Sequence, residues 1–416
     1  MKILFLCQYF PPEPGAPAAR THEHVREWAK QGHDVTVICG VPNHPTGEIP
    51  EEYRSQFVYE SIVDDVRVLR CWFLTAANAG RVRRSIAFVS FMAAALFWGG
   101  VKGGKPHVVI ATSPQLLCGL AGELLARFKR CPFVFEVRDL WPQQIIDLNV
   151  LRNKWLIQIL RAVESYLYRR AAAIVTVAEA ARHILIEEGY GEEKIFTVTN
   201  AIDLDVFTPQ ERTGTMRFRY GWGDRCVVLY IGTHGMSQGL ETVLAAARML
   251  ADQQHIHFVF VGSGAERQGL IELAQSWQLS NVEFIANQPR EEVPEFYAAA
   301  DICLAPLKKC DIFLTNIPSK LFEIMACARP IILGVDGQAR EVLEAADAGI
   351  CVPPEDVEAL AEAITHLDRN PALRETYGQN GRNYVEIHSN RKEKALDLLE
   401  ILLSVQQQRK GSVDKR

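Results

Sequence analysis

A lysine in the first turn of a helix is electrostatically out of place unless something anionic sits beside it, because the unpaired N–H groups there already carry partial positive charge. The stretch Thr315-Asn-Ile-Pro-Ser-Lys-Leu-Phe-Glu-Ile-Met-Ala326 has this arrangement: a helix start near Ser319, Lys320 in its first turn followed by Leu321, and Glu323 one turn on. Cation and free backbone donors together make an anion site, and Glu323 is spaced to accept from two ribose hydroxyls. The pattern points to a nucleoside diphosphate.

Other segments supply matching chemistry. In Val227-Val-Leu-Tyr-Ile-Gly-Thr-His-Gly-Met-Ser-Gln-Gly239, Gly232, Gly235 and Gly239 form a loop between a strand and a helix, with His234 or Gln238 able to donate to a diphosphate. Phe258-Val-Phe-Val-Gly-Ser-Gly264 ends in Gly262 and Gly264, which permit close backbone approach. Near the start, Gly15 in Gln8-Tyr-Phe-Pro-Pro-Glu-Pro-Gly-Ala-Pro-Ala-Ala-Arg20 opens a helix carrying Val25 and Trp28. A plain structural turn is the alternative for each of these glycine loops. None reads Gly-x-Gly-x-x-Gly, which argues against a nicotinamide dinucleotide. Phe133-Val-Phe-Glu-Val-Arg-Asp-Leu-Trp-Pro142 places Arg138 and Asp139 at the carboxyl end of a strand. There Asp139 can orient an acceptor hydroxyl or take its proton; helix capping or pairing with an arginine is the competing role. Asp203-Leu-Asp205 has metal-like spacing, but its place in a turn favours capping.

These segments need elements to hold them. Short apolar runs at Ile3 to Cys7, Asp34 to Cys39, Val108 to Ala111, Phe133 to Val137, Ile174 to Val177 and Ile195 to Thr199 alternate with helical patterns. They read as strands of a parallel sheet buried on both faces. The pattern restarts at Cys226 to Ile231 and continues through His257 to Val261, Val282 to Ile285, Ile302 to Ala305, Ile331 to Leu333 and Ile350 to Val352. The expected architecture is α/β, two tandem Rossmann-like domains with a cleft between them: residues 1–205, residues 206–390, and a C-terminal helix and polar tail over 391–416. The junction falls near 205–215, and the tail from Gln406 is expected to fray. Ligands of open α/β sheets bind beyond the carboxyl ends of the strands.

The chain's 416 residues suit two to three domains, and 48% hydrophobic with 23% charged residues is ordinary for a globular protein. A net charge of -5 gives no field for a polyanion, so nucleic acid is not an expected partner. The ten cysteines lie singly, without zinc spacing, and read as buried thiols of a reducing cytoplasm. The opening apolar run is too short for a signal peptide and reads as a strand. Residues 81–98 join Arg81, Arg83 and Arg84 to an apolar run, Ile86 to Trp98, too short to span a bilayer. They read either as an interfacial helix over anionic lipid, with Phe88 and Phe91 in contact, or as a buried crossover helix.

Together the motifs QYFPPEPGAPAAR, GVPNHPTGEIPEEYR, FEVRDLWP, NAIDLDVF, GTHGMSQGLETVL and PSKLFEIMACARPII resemble glycosyltransferase family four, of two-domain GT-B architecture. The likeness is greatest to its bacterial O-antigen and capsule members of the N-acetyl-L-fucosamine transferase type, and spans nearly the whole chain. It implies retaining transfer from a UDP-sugar, an N-acetylated amino sugar by the subgroup, bound mainly by the second domain. The implied acceptor is a polyprenyl-diphosphate-linked saccharide at the cytoplasmic face of the inner membrane. Many members carry two glutamates eight positions apart; here the second is Glu323 and the first position holds Thr315. The usual arginine and lysine of the diphosphate loop match Thr233 and Gln238, and the usual histidine falls at about Arg138. Lys320 is therefore expected to replace the lost cations without a metal or other cofactor. Asp139 and Lys320 are the expected catalytic pair, with Gly15, Arg138, Gly232, His234, Gln238, Gly262, Ser319, Leu321 and Glu323 around the donor. The rival readings are a UDP-sugar 2-epimerase on the same fold and a non-enzymatic two-domain binding protein.

Overall fold

The computed structural model describes residues 1–416 except 14–15, 44–46, 76–80, 114, 148–150, 213 and 414–416. It divides into two compact units, Met1–Asn200 with Arg391–Arg416, and Ala201–Asn390. The division lies just ahead of the turn-rich stretch at 205–215.

The first unit is built on β1 (Lys2–Leu6), β2 (Asp34–Gly40), β3 (Val58–Val63), β4 (Val66–Cys71), β5 (Val108–Thr112), β6 (Phe133–Val137), β7 (Ala173–Thr176) and β8 (Ile195–Thr197). Their order is β3-β4-β2-β1-β5-β6-β7-β8, and every pairing is parallel except β3 with β4. The six apolar runs read from the sequence are all strands here. The β3–β4 hairpin is an addition: its strands carry Glu60, Ser61, Arg67 and Arg70 among the apolar residues, so no continuous apolar run marks them. Its turn uses Asp64 and Asp65 at φ 48 and 62, the left-handed pair that a tight hairpin demands.

Alternate residues of β1 face opposite sides, as the two-residue period of a strand requires. Leu4 and Leu6 join one core with the helices Arg81–Lys102 and Leu116–Lys129, while Ile3, Phe5 and Cys7 join another with Val25 and Trp28. The last helix, Arg391–Val413, closes that second face with Ala395, Leu398, Leu402 and Val405. Trp28 Nε1 donates to the Ala395 carbonyl at 2.7 Å, and Arg391 pairs with Glu23 at 2.6 Å. The helix runs through Gln406, where the polar tail was expected to begin, to Val413.

The second unit carries β9 (Cys226–Ile231), β10 (Ile256–Val261), β11 (Val282–Ile285), β12 (Ile302–Pro306), β13 (Ile331–Gly334) and β14 (Gly349–Cys351), all parallel, in the order β11-β10-β9-β12-β13-β14. Each matches a predicted run. Central β9 and β10 are buried along their whole length, as continuous apolar strands covered on both faces should be.

Candidate functional site

In the second unit the end of β9, the loop after it and the helix Ser319–Ala326 meet around one ammonium group, and the loop after β10 braces the loop after β9. Lys320 Nζ lies over the ring of Tyr230, 3.8 Å from its centroid. A Cβ on Gly232, whose φ is +141, would stand 3.0 Å from that nitrogen, so the glycine leaves room for the cation. Burial brings the Lys320 pKa down to about 7, and Glu323 one turn on offsets this only in part. The result is a cation with little compensation at a helix start whose N-cap, Pro318, makes no side-chain cap. Such a group gains most from an anionic ligand. Leu321 serves otherwise than expected: its side chain is fully buried and its N–H donates to the Pro318 carbonyl at 3.0 Å. The donors to consider are therefore those of Ser319 and Lys320.

Glu323 is held from two sides. Its Oε2 accepts from the Tyr297 hydroxyl at 3.0 Å, and its Oε1 lies 3.7 Å from an Arg290 nitrogen. Arg290 in turn lies over Phe207, 5.2 Å from the ring centroid. Sequence reasoning found neither Tyr297 nor Arg290. They sit in an apolar helix and just before it, and no local motif signals either residue. Thr315, at the position of the missing glutamate, donates to the Ile312 carbonyl at 3.1 Å and closes a turn.

His234 corrects an expectation. It is wholly buried, ringed by Tyr230, Phe260 and Phe284 at centroid distances of 5.8, 6.4 and 6.3 Å. Burial, with Arg267 and Lys320 nearby, lowers its pKa to about 4. An imidazole enclosed by aromatic rings packs the loop, and among the described residues neither ring nitrogen has a hydrogen-bond partner. Gln238 also turns inward, its Oε1 accepting from the Gly235 N–H at 3.2 Å.

Gly262 is a second correction, since the backbone it approaches is the neighbouring loop. A Cβ there, at φ +143, would fall 1.9 Å from the Gly232 carbonyl oxygen, and one on Gly264 2.2 Å from that of His234. Gly232 N–H donates to Val261 and His234 N–H to Ser263, so the two glycine loops brace each other. Gly232 is left as the glycine facing the ammonium.

In the first unit Arg138 and Asp139 follow β6, as predicted. The Arg138 N–H donates to the Ser113 hydroxyl at 2.7 Å. Burial raises the Asp139 pKa against the lowering effect of Arg138. Ahead of them, buried Glu136 accepts from Arg20 Nε at 2.9 Å, and Arg20 also donates to the Val198 and Thr199 carbonyls at 2.9 and 3.0 Å. One guanidinium thus ties the first helix to β6 and to the segment leaving β8. Gly15 lies outside the described residues. Arg81 and Arg84 begin the helix Arg81–Lys102, with their side chains outside the described ones, and Arg83 is exposed.

Phe91 is the third correction: it is fully buried, edge to face with Phe73 at 5.6 Å. Phe88 is partly buried. The inner stripe of that helix is Ala87, Phe91 and Ala95, and its outer one Ile86, Val89, Ala93, Phe97 and Val101. The window Ser85–Lys102 has mean hydropathy 1.5 but is only 22% buried. By length and composition this 22-residue helix is long and apolar enough to cross a membrane, beyond the 13-residue run read from the sequence.

Residues 15–201 match the model of the glycosyl transferase 4-like domain, and residues 213–384 that of glycosyl transferases group 1. The chain is 26% identical over 398 residues to the putative colanic acid biosynthesis glycosyl transferase WcaI of Escherichia coli, covering 93% of this chain and 96% of that one. It is 25% identical to the probable glycosyltransferase WbjE of Pseudomonas aeruginosa over 64% and 65% of the two chains. Among solved structures, sucrose-phosphate synthase of Thermosynechococcus elongatus superposes with TM-score 0.77 at 19% identity, covering 97% of this chain and 98% of that one. HepE of Anabaena, in complex with UDP-glucose, does so with TM-score 0.72 at 17% identity, over 97% and 100%. The two Rossmann-like units are those of the GT-B fold.

Proposed function

The chain joins a glycosyl transferase 4-like domain to a glycosyl transferases group 1 domain, and on that premise we propose that it is a retaining, metal-independent glycosyltransferase. Its donor is a UDP-linked sugar, an N-acetylated amino sugar by its sequence resemblance, and its acceptor a lipid-linked saccharide of bacterial surface polysaccharide. The relatives named for colanic acid and capsule biosynthesis support this placement.

The observation that carries the reading is the Lys320 ammonium under Gly232 at the start of the helix Ser319–Ala326, with Glu323 one turn on. In that reading the diphosphate takes Lys320 and the N–H groups of Ser319 and Lys320, and the ribose hydroxyls donate to Glu323. The bond from the sugar anomeric carbon to the β-phosphate oxygen breaks while the acceptor oxygen bonds to that carbon from the same face. The acceptor proton passes to a phosphate oxygen, and UDP leaves. Oriented donors lower the energy of the charge that develops on the leaving group, and losing one costs about 3 kcal/mol. Asp139 in the first unit orients the acceptor hydroxyl.

The outer stripe of the helix Arg81–Lys102 supports attachment to the cytoplasmic membrane face. No charged residue interrupts Ser85 to Val101, while basic residues stand at both ends. An apolar stripe flanked by cations suits an anionic lipid interface. The inner stripe belongs to the core of the first unit, which supports a helix lying at the interface over one spanning it. Phe97→Ser with Val101→Ser should then reduce partition onto anionic liposomes; unchanged partition would remove the membrane contact.

The transfer is tested by thermal shift with UDP, GDP, ADP and NAD, each with and without EDTA, followed by mass spectrometry of mixtures with UDP-N-acetylhexosamines and a polyprenyl-diphosphate saccharide. A UDP-selective shift that survives EDTA and is lost in Glu323→Ala is expected. A shift with another nucleotide alone would overturn the donor class.

A further inference from the structure

At the carboxyl edge of the first sheet, β5 and β6 lie side by side with Thr112 opposite Glu136, and the turns leaving them are laced together. The Ser113 N–H donates to the Glu136 carbonyl at 2.8 Å, and the Arg138 N–H donates to the Ser113 hydroxyl at 2.7 Å. Two backbone N–H groups of these turns are thereby satisfied, yet side chains beside them are not. Gln115 is 8% exposed, and among the described residues neither amide atom finds a partner. Arg138 Nε and one of its terminal nitrogens are buried and equally unengaged. The adjoining carboxylate of Glu136 is committed to Arg20 at 2.9 Å. Nor can the histidine of this region serve as a counterpart: His24 is wholly buried against Trp28, and burial first, with Arg20, Arg391 and Arg138 around it, holds its pKa well below the ordinary value.

Buried polar groups in folded proteins are nearly always hydrogen-bonded, and the Arg138 guanidinium, its charge offset by Glu136 and Asp139, still has two buried nitrogens that make no hydrogen bond. A fold that leaves two guanidinium nitrogens and a whole side-chain amide buried without hydrogen bonds on adjacent turns has reason to do so if a ligand answers them. We propose that Gln115 and Arg138 form a subsite in the first unit for an oxyanion of the acceptor, carried by a carboxylate-bearing sugar or by a phosphate of its carrier. Arg138 meets the anionic oxygen with charge-assisted hydrogen bonds. Gln115, donor and acceptor at once, pairs with the anion through Nε2 and with a neighbouring hydroxyl through Oε1. The subsite deepens the reading of the first unit as the acceptor unit and rests on it, but it is tested by binding alone.

The full chain, saturated with UDP, is titrated with glucuronate, with pyrophosphate and with glucose by ligand-observed NMR and calorimetry, in wild type, Arg138→Gln, Arg138→Lys and Gln115→Leu. Wild type should bind at least one anion, in the millimolar range, and prefer it to glucose. Arg138→Gln should weaken binding at least 10-fold, Gln115→Leu several-fold, and Arg138→Lys less than Arg138→Gln. Glucuronate alone would assign an acidic sugar, and pyrophosphate alone the carrier phosphate. Absence of both, equal binding of glucose, or affinity unchanged in an Arg138→Gln variant with wild-type circular dichroism would overturn the subsite. Anion binding by a protein that ignores UDP would instead remove the donor reading and leave the subsite standing.

Discussion

Raising the pH should stabilise the unliganded protein and weaken its grip on the donor, both through Lys320. Burial holds this amine at about 7 instead of its ordinary 10.5. The unfolded chain therefore binds the proton more tightly than the folded one between those values, and stability contributed by this group rises with pH across that window. From pH 6 to 8.5 the gain is about 2 kcal/mol, from the protonated fraction at 1.36 kcal/mol per pH unit. Donor binding has the opposite sign, because a diphosphate beside Nζ favours the ammonium and the complex holds the extra proton. Over the same interval the donor dissociation constant should rise about 30-fold. A nucleotide sugar has no phosphate ionisation in this range, so the slope belongs to the protein. The assay is calorimetric titration with UDP-N-acetylglucosamine from pH 6 to 8.5 in buffers of different ionisation enthalpy, with thermal melts of unliganded protein alongside. Net proton uptake on binding should be visible above pH 7. Lys320→Met should bind the donor weakly at every pH and lose the pH-linked part of the stability. An affinity independent of pH in wild type, or the same slope in Lys320→Met, would refute the assignment.

Tyr297→Phe removes the hydroxyl that holds Glu323 and keeps the ring, so donor KM should rise about 10-fold, the value of one hydrogen bond to a charged group, with kcat nearly unchanged in steady-state kinetics; an unchanged KM would show that Glu323 needs no such support. Gly262→Ala forces a Cβ into the Gly232 carbonyl and should cost about 3 kcal/mol in strain and overpacking, read as a loss of roughly 10 °C in the melting of the second unit. Arg20→Met strands the Glu136 carboxylate and should destabilise the first unit by about 4 kcal/mol, whereas Arg20→Met with Glu136→Met should recover much of it, a coupling that chemical denaturation of the four proteins in the cycle would measure. In wild type the Arg20 and Arg138 guanidiniums overcome burial and hold the Glu136 carboxyl below its ordinary value. Its contribution is therefore present above the unfolded pKa and lost as pH falls through the folded one, a dependence acid titration should find missing in the double variant.

All the parallel strands but β4 were legible in the sequence, most of them because they are buried on both faces and leave a continuous apolar run, a signal that needs no knowledge of its neighbours. The β3–β4 hairpin was not, because its charged positions interrupt the run, and only pairing with β2 shows β4 to be a strand. The proximity of Lys320, Ser319 and Glu323 was legible for a comparable reason: it follows from spacing within one helix. What the sequence could not decide is where a side chain points and what meets it. Gly262 looks the same whether a ligand or the Gly232 carbonyl comes close, and His234 the same whether it faces a phosphate or Phe260 and Phe284. The inner or outer place of Phe91 turns on which stripe of its helix meets the sheet. Tyr297 and Glu323 are 26 positions apart, and Gln115 and Arg138 lie on turns of different strands. Periodicity along a chain reports which residues share a face. Contact between distant segments is set by the packing of elements against one another, and there the tertiary structure alone brings tyrosine to glutamate and leaves a glutamine amide and two guanidinium nitrogens without hydrogen bonds.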